Sequence, residues 1–238
     1  MISEVIFARD YTSFWRAATP FMDGYLRRVN KGGYDRDYRP MTAGTAPNRR
    51  AFVNEIAFET LCIAVEKMKT GEAMQLDLAL QNSISVVHQR FIQLKLEGDF
   101  HNTLSSDERA DASEQVRRLM QRIGGATKVP AIICKPPFRG CGIIDGCCGD
   151  IIVNSTLYEI KAGDRLFRSI DIRQIILYLA LNASAGCHRI HTVGLINPRV
   201  GISLELSVEE LCYEVSGRNV GTLLDAIIYG MSSGEVSR

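Results

Sequence analysis

Three residues in the second half of the chain, Asp150, Glu159 and Lys161, have the types and spacing to assemble a hydrolytic centre. Ile151, Ile152 and Val153 are apolar and β-branched, Asn154-Ser155 suits a tight turn, and Leu157 to Ile160 runs back, so the segment reads as a β-hairpin. With Asn154 and Ser155 at the centre of the turn, Val153 faces Thr156 and, counting outward, Asp150 faces Glu159. Directly opposed residues on antiparallel strands share a face, with Cβ atoms about 5 Å apart. Lys161 follows Glu159 by two positions and therefore emerges on that face as well. Two carboxylates held this close repel unless a cation sits between them, and oxygen donors of this kind suit Mg²⁺, with Mn²⁺ as a substitute. A lysine beside such an ion can orient a nucleophile and offset charge building on a reacting phosphate. The plain alternative is an exposed cross-strand ion pair between Asp150 and Lys161, of little consequence.

A second polar pair follows on a predicted helix. Gln174 and Tyr178 are four residues apart, one above the other on a helix face, among Ile175, Ile176, Leu177, Leu179 and Leu181. A glutamine on so apolar a helix needs hydrogen-bond partners.

Together these residues carry a resemblance. Asp150 with Glu159-Ile160-Lys161 resembles the PD-(D/E)xK nuclease signature in its (D/E)-x-K form, and Gln174-Ile-Ile-Leu-Tyr178 resembles the Q-x-x-x-Y motif of the RecB-like branch of that superfamily. The similarity spans roughly residues 48–66 and 130–207. It implies an α/β fold with a restriction-endonuclease-like αβββαβ core around a mixed central sheet. It also implies Mg²⁺-dependent hydrolysis of DNA phosphodiester bonds, in settings such as phage defence, restriction or repair. By the same resemblance Asp150, Glu159 and the backbone carbonyl of Ile160 are metal ligands, and Lys161, Gln174 and Tyr178 complete the catalytic set. Glu55, or Glu59 one turn later, supplies a third acidic ligand from the first core helix. Asp145 is a rival for the first aspartate, because Gly142-Ile-Ile-Asp145 resembles the G-x-x-D that opens the second motif in many RecB-like enzymes; the hairpin register favours Asp150. Arg168 and Arg173 flank the site and are candidate phosphate contacts. The expected partner is DNA, double-stranded, with a second copy of the chain where both strands are cut. No G-x-x-x-x-G-K-[ST] loop is present, so any translocating ATPase or helicase is a separate chain.

The elements that must position these residues change character near Gly125. Before it the pattern is helical: an apolar face over 11–28 interrupted by Pro20, a loop over 30–47, a helix from Arg49 to Lys69, an amphipathic helix over 73–96, and a third opened by the capping box Ser105-x-x-Glu108 and closed at Gly124-Gly125. After it come a strand over Val129–Cys134, a short strand over Gly142–Asp145, the hairpin, a helix from Ser169 to about Asn182, strands over Thr192–Ile196 and Ile202–Leu206, and helices over Val208–Val215 and Val220–Met231. The expected organisation is an extension over 1–47 and a nuclease-like domain over 48–238 carrying a helical insertion over 71–125.

Composition bounds the reading. Of 238 residues 46% are hydrophobic, enough for a core, and the net charge of +1 excludes a polybasic binder, so nucleic acid would have to be met by local basic patches. No stretch of about 18 apolar residues suggests a membrane span, and no basic leader with an apolar run opens the chain, so a cytoplasmic protein with reduced thiols is expected. The seven cysteines form no C-x-x-C pair and read as ordinary thiols rather than zinc or cluster ligands. Two other functions stay open: a catalytically inactive nucleic-acid-binding or assembly subunit on the same fold, and a scaffold using the heptad-like helix over 73–96.

Overall fold

A computed structural model describes residues 1–42, 44–94, 101–124 and 131–233. In chain order the elements are α1 (Glu4–Asp10), α2 (Thr12–Ala18), α3 (Met22–Asn30), β1 (Asp35–Arg36), α4 (Arg50–Thr70), α5 (Leu76–Gln93), α6 (Ser106–Ile123), β2 (Ile132–Cys134), β3 (Pro137–Phe138), β4 (Cys147–Cys148), β5 (Ile151–Val153), β6 (Thr156–Ile160), α7 (Ser169–Ala185), β7 (Thr192–Asn197), β8 (Ile202–Ser207), α8 (Val208–Ser216) and α9 (Val220–Ser233). None of these helices is long and apolar enough to cross a membrane.

Contacts divide the chain into two compact units, one formed by Met1–Tyr38, Ala131–Asn197 and Gly201–Arg238, the other by Arg39–Pro130 and Pro198–Val200. The boundary differs from the expected one. The N-terminal helices are not an extension but part of the sheet-bearing unit, where α1 packs on α7 and α3 on α8. Conversely α4, expected as the first helix of the catalytic core, packs on α5 and α6 in the helical unit. The reason is apolar matching: Phe52, Val53, Ile56 and Ala57 of α4 are buried against Leu80, Ile84, Val87 and Phe91 of α5 and Ala112 and Val116 of α6.

The sheet-bearing unit holds a six-stranded mixed sheet in the order β1-β8-β7-β6-β5-β2. All pairs are antiparallel except β6–β7, which is parallel and is joined by α7 as crossover. The hairpin forms with the register read from its sequence: Val153 pairs with Thr156 and Ile151 with Tyr158, which sets Asp150 across from Glu159. Asn154 takes the left-handed conformation such a turn requires (φ 56°), a position asparagine tolerates.

The two-stranded β3–β4 sheet continues the β2–β5 ladder. From Cys134–Ile151 to Pro137–Cys148 is three residues on each strand, so the register carries through unbroken. What separates the two sheets is a bend at Lys135, left-handed at φ 53° and followed by two prolines, with its N–H on the Asp150 carbonyl at 2.8 Å. The expected strand over Gly142–Asp145 is reduced to isolated bridges of Ile144 with Ile2 and Cys141. Of the strand expected over Val129–Cys134, Val129 and Pro130 lie outside the described residues, as do Gly125 and positions 95–96 of the expected amphipathic helix.

The apolar run over 11–28 is two helices, α2 and α3, separated around Pro20. A further short helix, α1, precedes them; its Phe7 carbonyl accepts the indole N–H of the buried Trp15 at 2.9 Å.

The helical unit contains two buried ion pairs. Arg49 pairs with Glu108 at 2.8 Å, and Arg199 with Asp111 at 2.9 Å, the latter with side chains only 2% and 3% exposed. Asp111 also accepts from Thr45 Oγ1 at 2.6 Å and Gln115 Nε2 at 2.9 Å, and Arg199 donates to Asn54 Oδ1 at 2.9 Å. Removing one partner strands a buried charge. Arg199→Ala is therefore expected to destabilise the protein by about 3–5 kcal/mol, measured by urea denaturation followed by circular dichroism.

Glu114 gives a pH-dependent counterpart. Hydrogen bonding to Arg117, against partial burial and with help from Arg118, holds its carboxyl down at about 2. A depressed carboxylate stabilises fully above its ordinary value of 4.5 and ceases to do so as the pH falls through about 2. Glu114→Gln is expected to flatten that part of the acid limb in a plot of urea midpoint against pH.

Candidate functional site

The site is built on the face of β6 that looks toward α7. Alternation along the strand sends Leu157, Glu159 and Lys161 to that face and Tyr158 to the other, where its hydroxyl bonds Glu205. Gly194 on β7 makes room for the Tyr158 ring, since a Cβ there would lie 2.4 Å from it. At the strand end Asp150 and Glu159 stand opposite each other, and Asp150 Oδ2 accepts the Ile160 N–H at 2.6 Å. The Lys161 ammonium donates to Glu159 Oε1 at 2.6 Å and to Gln174 Oε1 at 2.8 Å, and Gln174 Nε2 donates to the Tyr178 hydroxyl at 2.8 Å. Glu159, Lys161, Gln174 and Tyr178 thus form one hydrogen-bonded chain, with Asp150 beside it.

The start of α7 is fixed so that Gln174 meets Lys161. Asp171, almost fully buried, accepts the backbone N–H of Arg168 at 2.8 Å and both guanidinium arms of Arg165 at 2.7 and 2.9 Å. Asn197, at the end of β7, donates to the carbonyls of Gly163 and Arg165 at 2.8 and 2.9 Å and holds the β6–α7 loop against the sheet. At the other end of the site Phe138 of β3 stacks on Tyr178, centroids 5.1 Å apart and planes 12° from parallel. The bend at Lys135 therefore folds the β3–β4 hairpin over α7. Gly149 sits in this fold because a Cβ would come within 3.0 Å of Phe138 and 3.3 Å of Leu157.

Glu159 is 3% exposed, and burial raises its carboxyl above the ordinary range; Lys161 opposes the rise, while Asp171 and Glu4 add to it. For Lys161 burial acts downward, but Glu159, Asp150 and Asp171 hold the ammonium above its ordinary value, so it stays charged. Burial first, then Glu159 and Asp150, pushes the Tyr178 phenol far up, so it is a neutral hydroxyl. Cys147 is likewise a neutral thiol, raised to about 12 by burial and by Glu4, Cys148 and Glu159.

The fit to a cation rests on one atom. Glu159 Oε1 is taken by Lys161, but Oε2 is buried and has no hydrogen-bond partner. An unpaired buried carboxylate oxygen costs free energy that a positive ion would recover. Among the described residues no group of three or more His, Cys, Asp or Glu side chains is arranged to hold a metal. The hairpin register sets two carboxylate-bearing residues opposite each other, Asp150 and Glu159, so an ion there would need further oxygen donors.

The other expected site residues are placed as follows. Glu55 and Glu59 belong to the helical unit, where both carboxylates pair with Arg90, at 3.5 and 2.8 Å. Within its own unit Glu159 has Glu4 as its acidic neighbour, in the first turn of α1. Glu4 was legible only as Ser3-Glu4 ahead of the apolar pattern of Val5, Ile6 and Phe7, an N-cap signal opening a helix of 7 residues. Asp145 is in the excursion between β3 and β4, with its backbone N–H on Ile2 at 3.0 Å, and is not on β5. Arg168 is exposed at the start of α7, with no side-chain ion pair among the described residues. Arg173 turns inward: it is half-buried, donates to the Ala8 carbonyl at 3.3 Å and lies over the Trp15 ring, which commits it to packing rather than to a phosphate.

No family model matches this chain, and a search of curated proteins finds none similar to it.

Asp171→Ala removes an N-terminal cap and leaves Arg165 without its carboxylate. The expected loss is about 2–4 kcal/mol of stability, measured by urea denaturation, with Asp171→Asn recovering part of it through the cap.

Proposed function

We propose that this protein is a Mg²⁺-dependent nuclease that hydrolyses DNA phosphodiester bonds on a restriction-endonuclease-like core. The observation that carries the reading is the buried, unpartnered Oε2 of Glu159, next to Asp150 and to an ammonium already committed to Oε1. The connectivity supports it too: three antiparallel strands β2, β5 and β6, then α7, then β7 parallel to β6, is the βββαβ part of such a core. The preceding helix of that core is then α1, with Glu4 in the place expected of Glu55.

In this reading Asp150 and Glu159 would hold the ion, with the Ile160 carbonyl as a candidate further donor. When bound, Mg²⁺ supplies Lewis acidity that activates a water nucleophile and neutralises phosphate charge. Lys161 keeps a fixed positive charge at the same face, able to hydrogen-bond a phosphate oxygen or the attacking water. Gln174 turns its carbonyl oxygen to that ammonium because Tyr178 accepts from its amide, and Tyr178 is held in turn by the stacked Phe138. The leaving 3′ or 5′ oxygen would receive its proton from solvent water.

Two measurements test this. Mg²⁺ or Mn²⁺ is expected to raise the melting temperature of the wild type, by about 2.7 kcal/mol of stabilisation at a hundredfold excess over Kd, and to do so much less for Asp150→Asn and Glu159→Gln. Metal-dependent cleavage of plasmid or duplex DNA should fall about 100-fold or more in Lys161→Ala. DNA binding with no cleavage by the wild type in either metal would instead make the chain an inactive binding subunit.

A further inference from the structure

Helix α5 carries apolar side chains on two faces, and the helical unit uses one of them. Leu80, Ile84, Val87 and Phe91 are buried against α4 and α6. Leu78 and Ile92 lie on the outer face, 57% and 62% exposed, and Leu94, just past the helix end, is also 62% exposed. The remaining exposed positions from Leu78 to Gln93 hold only Asn, Gln, Ser and Val, with no Asp, Glu, Lys or Arg among them. In a chain that is 23% charged, a helix face meant only for water would carry charge. Exposed aliphatic side chains on a stripe without charge have the composition of a surface that becomes covered.

The two ends of the stripe differ in shape. At its start, the end of α4 and the beginning of α5 enclose a groove of about 340 Å³ lined by Ile63, Lys67, Met74, Leu78, Ala79 and Asn82 among others. Lys67 is paired with Glu72, which also lines the groove, so their charges offset each other. At its far end Ile92 and Leu94 project into solvent. One end offers apolar knobs and the other an apolar hollow.

The spacing makes these ends fit each other. Leu78 precedes Ser85 by seven residues and Ile92 follows it by seven, two helical turns either way, so the three share one face. A two-fold axis at Ser85, with a second α5 laid antiparallel, sets Leu78 of each copy against Ile92 of the other. The same operation carries Ile92 and Leu94 of each copy toward the groove of the other, so one contact is made twice. Serine at the crossing is small enough to let the helices approach.

Charge selects the same partner. A face without charge meets its own image without repulsion. An anionic lipid surface or a nucleic acid would call for basic residues on this face, and it has none.

We infer that the outer face of α5 is the contact between two copies of this chain, paired antiparallel about Ser85. The inference does not depend on the chemistry at Glu159. An 18-residue helix gives a contact about 27 Å long, modest even with a groove filled at each end, so dissociation in the micromolar range is expected.

Sedimentation equilibrium of the whole chain over about 1–200 µM tests this, and a monomer–dimer equilibrium is expected. Leu78→Lys and Ile92→Glu each place a charge against an aliphatic side chain of the other copy and should weaken dimerisation about tenfold or more. Combined in one chain, the two substitutions face each other across the axis and should regain affinity at low salt. Both positions are exposed, so the circular dichroism and melting temperature of the dilute variants should match the wild type, which separates a lost contact from a fault in folding. A wild type still monomeric at the highest concentration overturns the proposal, as does a dimer indifferent to both single substitutions. A dimer that each single change weakens and the combination fails to restore also overturns it, because the helices would then not be paired about Ser85.

Discussion

The organisation of the sheet-bearing unit follows from one constraint: a glutamate buried at the end of a central strand with a single lysine for company. An isolated carboxylate in such a place would simply protonate. Lys161 keeps negative charge tenable: Asp171 and Glu4 act on Glu159, Asp150 and Asp171 act on Lys161, and Asp171 is matched by the Arg165 guanidinium. A fold selected only for stability would have replaced Glu159 with an aliphatic residue, as its neighbours Leu157 and Leu195 show.

Around that constraint the supporting parts act in series. Asp171 fixes where α7 begins, which sets where Gln174 lies, which directs the Lys161 ammonium. Asn197 prevents the loop between β6 and α7 from rising, because two of its carbonyls share one amide donor. The bend at Lys135 brings Phe138 onto Tyr178, closing the far end of the hydrogen-bonded chain. None of these residues needs to touch a reacting group, but together they hold the ammonium within hydrogen-bond distance of Glu159.

Much of this was legible in the sequence because it is local. The hairpin register depends on five or six residues and a turn whose chemistry is well defined, so counting outward from Asn154-Ser155 placed Asp150 against Glu159. The spacing of Gln174 and Tyr178 needs only the helix period. What the sequence did not reveal depends on long-range packing. Assigning Arg49 to Lys69 to the catalytic core was a choice between helices of similar character, and the apolar residues of α4 match α5 and α6. Arg173 read as a surface arginine because its partners, Ala8 and Trp15, are more than 150 positions away. Glu4 was passed over because α1 is too short to show a periodic face. Pro136-Pro137 signals only a break in the strand, and not the bend at Lys135, since an unbroken register across it is a property of both strands.

The distribution of arginines bears on how a chain of net charge +1 could engage a polyanion. Arg49, Arg118 and Arg199 are buried in the helical unit, bonded to Glu108, to Glu114 and the Pro198 carbonyl, and to Asp111. Arg165 and Arg173 are likewise committed to their own unit. The planar fork of these interior arginines is matched to carboxylates and carbonyls. Those left exposed without an ion pair in the sheet-bearing unit include Arg16, Arg27, Arg139 and Arg168. With a net charge of +1, non-specific attraction to a duplex should be weak. A protein with so little long-range pull would have to gain affinity for a polyanion from short-range contacts, and under the proposed reading an ion held by the carboxylates would be one of them.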